Sequence, residues 1–135
     1  MKLFLFLVMG LIFLFAACFE IKADNSKDKK PDWQTISAKE AFNMMEVSEN
    51  YILLDVRTES EFQERRIKGA ILIPDNEIKE RAGAELPDKK AVIFVYCRSG
   101  RRSASAAAEL AKLGYTNVYD FGGILSWPYE TVGGL

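Results

Sequence analysis

Cys97 is followed by Arg98, Ser99, Gly100, Arg101, Arg102 and Ser103, so one thiol heads a loop with three guanidinium groups, a glycine and two hydroxyls. A glycine lets such a loop curl until successive backbone N–H groups turn inward. A helix starting near Ser103 would add the partial positive charge of its N-terminus. Both effects lower a thiol pKa, and the thiolate is the attacking nucleophile. Arg98, Arg101 and Arg102 suit a small anionic substrate, which they attract and orient while the loop amides stabilise charge on sulfur. Arg102, which closes the loop, is expected to be the least free in solvent. Ser99 and Ser103 fit two roles equally: donors to substrate or sulfur, or turn former and helix cap.

Composition excludes most other chemistry. The 135 residues contain no His, which removes Ser-His-Asp and Cys-His catalysis, imidazole zinc sites and histidine pH switches. Two cysteines, Cys18 and Cys97, are too few for a disulfide scaffold or a thiolate metal cage, so no metal or other cofactor is expected. Lys plus Arg is 18 against 19 Asp plus Glu, a net charge of −1, which argues against a nucleic-acid partner.

The elements that must position the thiol alternate along the chain. Residues 33–36 form a short strand candidate, and Ser37 with Glu40 is a capping box opening a helix that buries Ala38, Ala41, Phe42 and Met45. Residues 51–54 are a strand ending at Asp55, and Thr58 with Glu61 is a second capping box. Residues 70–73 make another strand, stopped by Pro74. Residues 75–82 make a weaker helix before a loop around Gly83 and Pro87. Residues 91–96 are six consecutive apolar positions, the pattern of a strand buried on both faces, and they run directly into Cys97. Residues 103–113 read as a helix closed by Gly114, residues 117–121 as the last strand, and Gly122-Gly123 as a turn into a helical segment around 124–127. This alternation predicts a three-layer α/β domain with a mainly parallel central sheet flanked by helices. In such sheets ligands bind at the carboxyl ends of the strands, where Cys97 falls. Asp55 and Arg57 fall on the same edge and are expected to form a structural ion pair or loop brace.

The N-terminus carries an address. Residues 3–19 are an apolar run after Met1 and Lys2, so residues 1–17 are expected to be an export signal, with an uncleaved anchor as the alternative. Phe15-Ala16-Ala17-Cys18 resembles the lipobox of bacterial lipoproteins, which implies lipidation of Cys18. Phe15 stands where Leu is usual, and the competing cut follows Ala23. Residues 18–30 read as a polar tether and 31–135 as the domain, exported and periplasmic or membrane-tethered facing the periplasm. There Cys97 has no intramolecular disulfide partner, which favours a working thiol.

Several ordered motifs together carry a family resemblance. Leu53-Leu54-Asp55-Val56-Arg57 precedes Glu61-Phe62, then Ile67-Lys68-Gly69-Ala70, then Tyr96-Cys97-Arg98-Ser99-Gly100-Arg101-Arg102-Ser103, then Gly122-Gly123 and Trp127. Over residues 33–134 the chain resembles a single-domain rhodanese, especially the small exported phage-shock type. The resemblance implies thiosulfate sulfurtransferase chemistry: the Cys97 thiolate takes the outer sulfur of thiosulfate, sulfite leaves, and a Cys97 persulfide passes sulfur to cyanide or a thiol. It departs from the family where Arg66 replaces a frequent His and Lys68 a frequent Pro. The expected partners are the anionic donor, the acceptor and the membrane, and the expected state is a monomer. A cysteine phosphatase or arsenate reductase is the enzymatic rival, but its loop reads Cys-x5-Arg, and here Arg102 comes one residue too soon. A non-enzymatic sulfur-carrying or binding module is the other, although such relatives typically lack the loop cysteine.

Overall fold

The computed structural model describes residues 32–134; the leader, the Cys18 motif and the tether lie outside the described residues. Both capping boxes form. Ser37 Oγ accepts from the Glu40 N–H at 3.1 Å and the Glu40 carboxylate accepts from the Ser37 N–H at 2.7 Å, opening helix α1 (Ala38–Val47). Thr58 and Glu61 exchange the equivalent bonds at 3.3 and 3.0 Å to open α2 (Glu59–Glu64). Each box satisfies two helix N–H groups that would otherwise lack a partner.

Five strands, β1 (Trp33–Thr35), β2 (Ile52–Asp55), β4 (Ile71–Leu72), β5 (Ile93–Cys97) and β6 (Val118–Gly123), form a sheet in the order β1-β6-β5-β2-β4. Every pairing is parallel. All five residues of β5 are buried, as the unbroken apolar run requires of a central strand. One face of the sheet packs α3 (Ile78–Glu85) and α4 (Arg101–Lys112), with Leu110 of α4, over Leu54, Ile93 and Val95 and the adjoining Ile73; the other buries Ala41, Phe94, Tyr96, Phe121 and Trp127. Burying one such Leu, Ile or Phe side chain contributes about 1.5–3 kcal/mol, so the two layers hold the sheet from both sides. The three-layer α/β arrangement follows.

Local details differ from the sequence reading in three places. A 3-10 turn over Asp75–Glu77 precedes α3, and α3 runs through Gly83 to Glu85 instead of ending before it. The Tyr115 hydroxyl sits 2.9 and 2.6 Å from the carbonyl oxygens of Ala82 and Leu86, fastening this weak helix from 29 or more residues away in sequence. α4 begins at Arg101, two residues before Ser103. The strand at 117–121 extends to Gly123 and is not the last: β7 (Thr131–Val132) pairs antiparallel with β3 (Arg66–Ile67) as a separate two-stranded sheet. Strands of two residues carry no periodicity to read.

Candidate active site

Side chains alternate along a strand, and this decides where the thiol points. Ile93, Val95 and Cys97 join the layer under α3 and α4, while Phe94 and Tyr96 join the opposite one. The β5–β6 pairing shifts register between Val95 and Cys97, which brings Cys97 opposite Gly123. Sγ is thereby buried beneath the first turn of α4, at the positive end of a 12-residue helix. Gly100 occupies the cap position with φ +111°, a conformation that favours glycine, and its N–H donates to Sγ at 2.9 Å. Ser103, one turn into the helix and fully buried, places Oγ 3.5 Å from Sγ and 3.0 and 3.2 Å from the carbonyl oxygens of Gly100 and Gly122. It is therefore part of the sulfur's surroundings and not the helix cap. Its single hydroxyl proton has three acceptors within reach, and a thiolate is the one that carries charge. Burial pushes the Cys97 thiol up, but the Ser103 hydroxyl and the backbone N–H groups of Ser103, Gly100 and Ser99 outweigh it, leaving the thiol below its ordinary value.

The three arginines go to different places. Arg102 reaches back to α2 and donates to both carboxylate oxygens of Glu61, at 2.8 and 2.9 Å. Arg98 and Arg101 are exposed and form no ion pair among the described residues. Arg102, expected to meet the donor, already has its charge matched and acts as a brace between α2 and α4. The Arg102 hydrogen bonds, opposed by burial and assisted by Thr58, hold the Glu61 carboxyl down at about 2. Because this pKa is depressed in the folded protein, the stabilisation is present above the unfolded value of about 4.3 and is lost as pH falls toward about 2. Glu61→Gln should accordingly cost about 1 kcal/mol at pH 7, as a partly exposed pair does, and nearly nothing at pH 2. Urea midpoints at the two pH values test this; an equal difference at both would mean Glu61 acts through packing.

Asp55 and Arg57 form a buried ion pair at 2.7 Å, and the Arg57 Nη2 also donates to the Arg65 carbonyl at 2.5 Å. Nearby, the Ile67 N–H donates to the Tyr96 hydroxyl at 3.1 Å. Burial, then Asp55, push that phenol above its usual value, so it stays protonated. These groups fix residues 65–67 against the sheet edge and do not contact Sγ.

Sequence reasoning left several contributors unassigned. Glu61 was legible only as a cap residue, since nothing local pairs it with an arginine 41 positions on. Asp120 Oδ1 accepts from the Gly122 N–H at 2.9 Å and holds the turn where Gly122 adopts φ +88°. Gly123 packs so tightly on the cysteine loop that a Cβ there would lie 2.0 Å from the Arg98 carbonyl oxygen. The double glycine was the only sequence signal for this approach. Beside the loop opens a cleft of about 380 Å³, lined by Arg98, Ile124 and Leu125 from the two loops, by Arg57 before α2, and by Glu61, Glu64 and Arg65 from α2 and its C-terminal end. A larger hollow, about 490 Å³, lies at the opposite edge near the starts of β2 and β5 and contains no thiol.

A parallel α/β sheet that delivers one amide-cradled thiol to its carboxyl edge defines a class of sulfur-nucleophile domains. The rhodanese-like domain family matches residues 37–129. The thiosulfate sulfurtransferase PspE of Escherichia coli K12 is 42% identical over 71 residues, 53% of this chain and 68% of that protein. A sulfurtransferase of Allochromatium vinosum is 38% identical over 81 residues, 59% of this chain and 74% of that protein. A solved rhodanese with anions from E. coli superposes with a TM-score of 0.59 at 38% identity, covering 62% of this chain and 99% of the other. The chain belongs to the rhodanese-like family, and with it to the sulfurtransferases.

Proposed function

We propose that the protein moves the sulfane sulfur of thiosulfate to cyanide or a thiol through a persulfide on Cys97. The observation that carries this reading is the sulfur's cradle: an amide at 2.9 Å, a hydroxyl at 3.5 Å and a helix N-terminus converge on one buried Sγ. The thiolate attacks the outer sulfur of thiosulfate. A new S–S bond forms, the old one breaks, and its electron pair leaves with sulfite. The outer sulfur of the persulfide keeps a negative charge, which the loop amides stabilise as they did the thiolate. Cyanide then attacks that outer sulfur, thiocyanate departs and the Cys97 thiolate is restored. A thiol acceptor follows the same course and leaves as its own persulfide.

Phosphate chemistry is less well supported. The loop is one residue shorter than Cys-x5-Arg, and its closing Arg102 is engaged by Glu61. Thiocyanate formation from thiosulfate and cyanide, with stoichiometric sulfite, measured beside aryl-phosphate hydrolysis, tests the reading; hydrolysis without thiocyanate would reverse it. From the N-terminal leader we further propose that the protein is exported, periplasmic or membrane-tethered facing the periplasm, with Cys18 lipidated. Full-length chain with unmodified Met1 in the cytosol would refute that placement, whereas soluble periplasmic protein starting near Asp24 would refute only the lipid.

A further inference from the structure

We propose that Arg65 is a substrate-positioning residue that, together with Arg98, holds the anionic end of the sulfur donor in the cleft beside the cysteine loop. This deepens the sulfur-transfer reading and rests on it.

The cations around the site differ in what they have left to offer. Arg57 is committed to Asp55 and Arg102 to Glu61. Arg65 and Arg98 line the same cleft, and neither has a carboxylate partner among the described residues. The Arg65 guanidinium makes one long hydrogen bond, 3.3 Å from Nη2 to the Ile124 carbonyl, so most of its five N–H donors remain available. Glu61 and Glu64 line the cleft as well; Glu61 is matched by Arg102, and Glu64 pairs with neither Arg65 nor Arg98.

The base of the side chain is held on three sides. The Arg65 N–H donates to the Glu61 carbonyl at 3.0 Å, and its carbonyl accepts from the buried Arg57 at 2.5 Å. Gly133 lies so close that a Cβ there would sit 2.9 Å from the Arg65 Cα. The backbone that carries this exposed side chain is thereby fixed and need not reorganise when an anion arrives. Arg65 and Arg98 are also tied to the same short stretch of chain, Arg65 through the Ile124 carbonyl and Arg98 by accepting from the Leu125 N–H at 3.3 Å. Once the outer sulfur of thiosulfate is directed at Sγ, its three oxygens are left at the opposite end of the molecule. Two planar guanidinium groups match that group of oxygens and its charge. Those oxygens belong to the leaving sulfite and gain charge as the S–S electron pair departs with it, so the contacts act on the transition state at least as strongly as on the bound donor and their loss lowers kcat/KM.

The test compares wild type, Arg65→Gln and Arg65→Lys in steady-state thiocyanate formation, with thiosulfate or the singly charged methanethiosulfonate as donor. Arg65→Gln should lower kcat/KM for thiosulfate about tenfold, Arg65→Lys should recover most of the loss, and kcat/KM for methanethiosulfonate should change less than about threefold. Titration calorimetry with sulfite, which reads the anion site without turnover, should show a similar weakening in Arg65→Gln. An unchanged thiosulfate kcat/KM overturns the proposal. So does a fall in kcat/KM that is equal for both donors and not rescued by lysine, since that pattern marks Arg65 as a structural tie to Ile124. A wild type that binds sulfite through Arg65 yet makes no thiocyanate would refute the sulfur-transfer reading and leave the anion site standing.

Discussion

Replacing Cys97 by serine should abolish sulfur transfer, by roughly 10³-fold or more, with the fold retained. The hydroxyl is a far weaker nucleophile at neutral pH and holds no persulfide. Its volume is close to that of the thiol, and it accepts from the Gly100 N–H that now points at Sγ. No large cavity opens and no buried donor loses its partner, so the stability cost should stay within about 1.5 kcal/mol. Thiocyanate production measured beside far-ultraviolet circular dichroism and a urea titration checks both halves. Transfer above a few per cent of wild type in a normally folded variant would mean that sulfur travels by a route that avoids Cys97.

Gly123→Ala should cost about as much as any change outside the thiol: on the order of 10²-fold in kcat/KM and about 2 kcal/mol of stability. The backbone there is extended, with φ −125°, so alanine meets no conformational objection. The objection is steric. An added Cβ would lie 2.0 Å from the Arg98 carbonyl oxygen, 2.4 Å from its carbon and 2.6 Å from the Ser99 Cα. All three are backbone atoms, which cannot swing aside as the end of a side chain can, so the loop must shift. The amides of Ser99 and Gly100 then lose their aim at Sγ, and the thiol should titrate at a higher pH than in wild type. Iodoacetamide alkylation across pH follows that change, and thiosulfate turnover follows the rest. A variant active to within about threefold of wild type would show that the loop tolerates displacement and that the glycine serves another purpose.

How much of this was legible beforehand depended on the range of each interaction. The two capping boxes, Ser37 with Glu40 and Thr58 with Glu61, span three residues and formed as read. So did the end of α4. Gly114 takes φ +97°, its N–H donates to the Ala111 carbonyl at 3.1 Å, and the Tyr115 N–H donates to the Leu110 carbonyl at 3.1 Å. The extent of α3 was not legible, because its last turn is fastened by Tyr115 from another element. The β3–β7 pair was missed for a related reason, since its register joins Arg66 to Val132 and Ile67 to Thr131 with no local signal at either end.

The sequence by itself determined that a thiol stands at the junction of a doubly buried strand and a helix, followed by a glycine able to curl the chain and bring amides to it. Those features depend on neighbours along the chain and on the two-residue alternation of a strand, which any fold containing the segment must respect. The tertiary structure alone decided which charges remain for a substrate. Position in the loop marked Arg102 as the least free of the three arginines but not what it meets; the fold gives Arg102 to Glu61 and leaves Arg98 beside Arg65, a residue that sequence reasoning did not select. An ion pair forms where packing brings two long side chains to within about 3 Å, and separation along the chain says nothing of that distance.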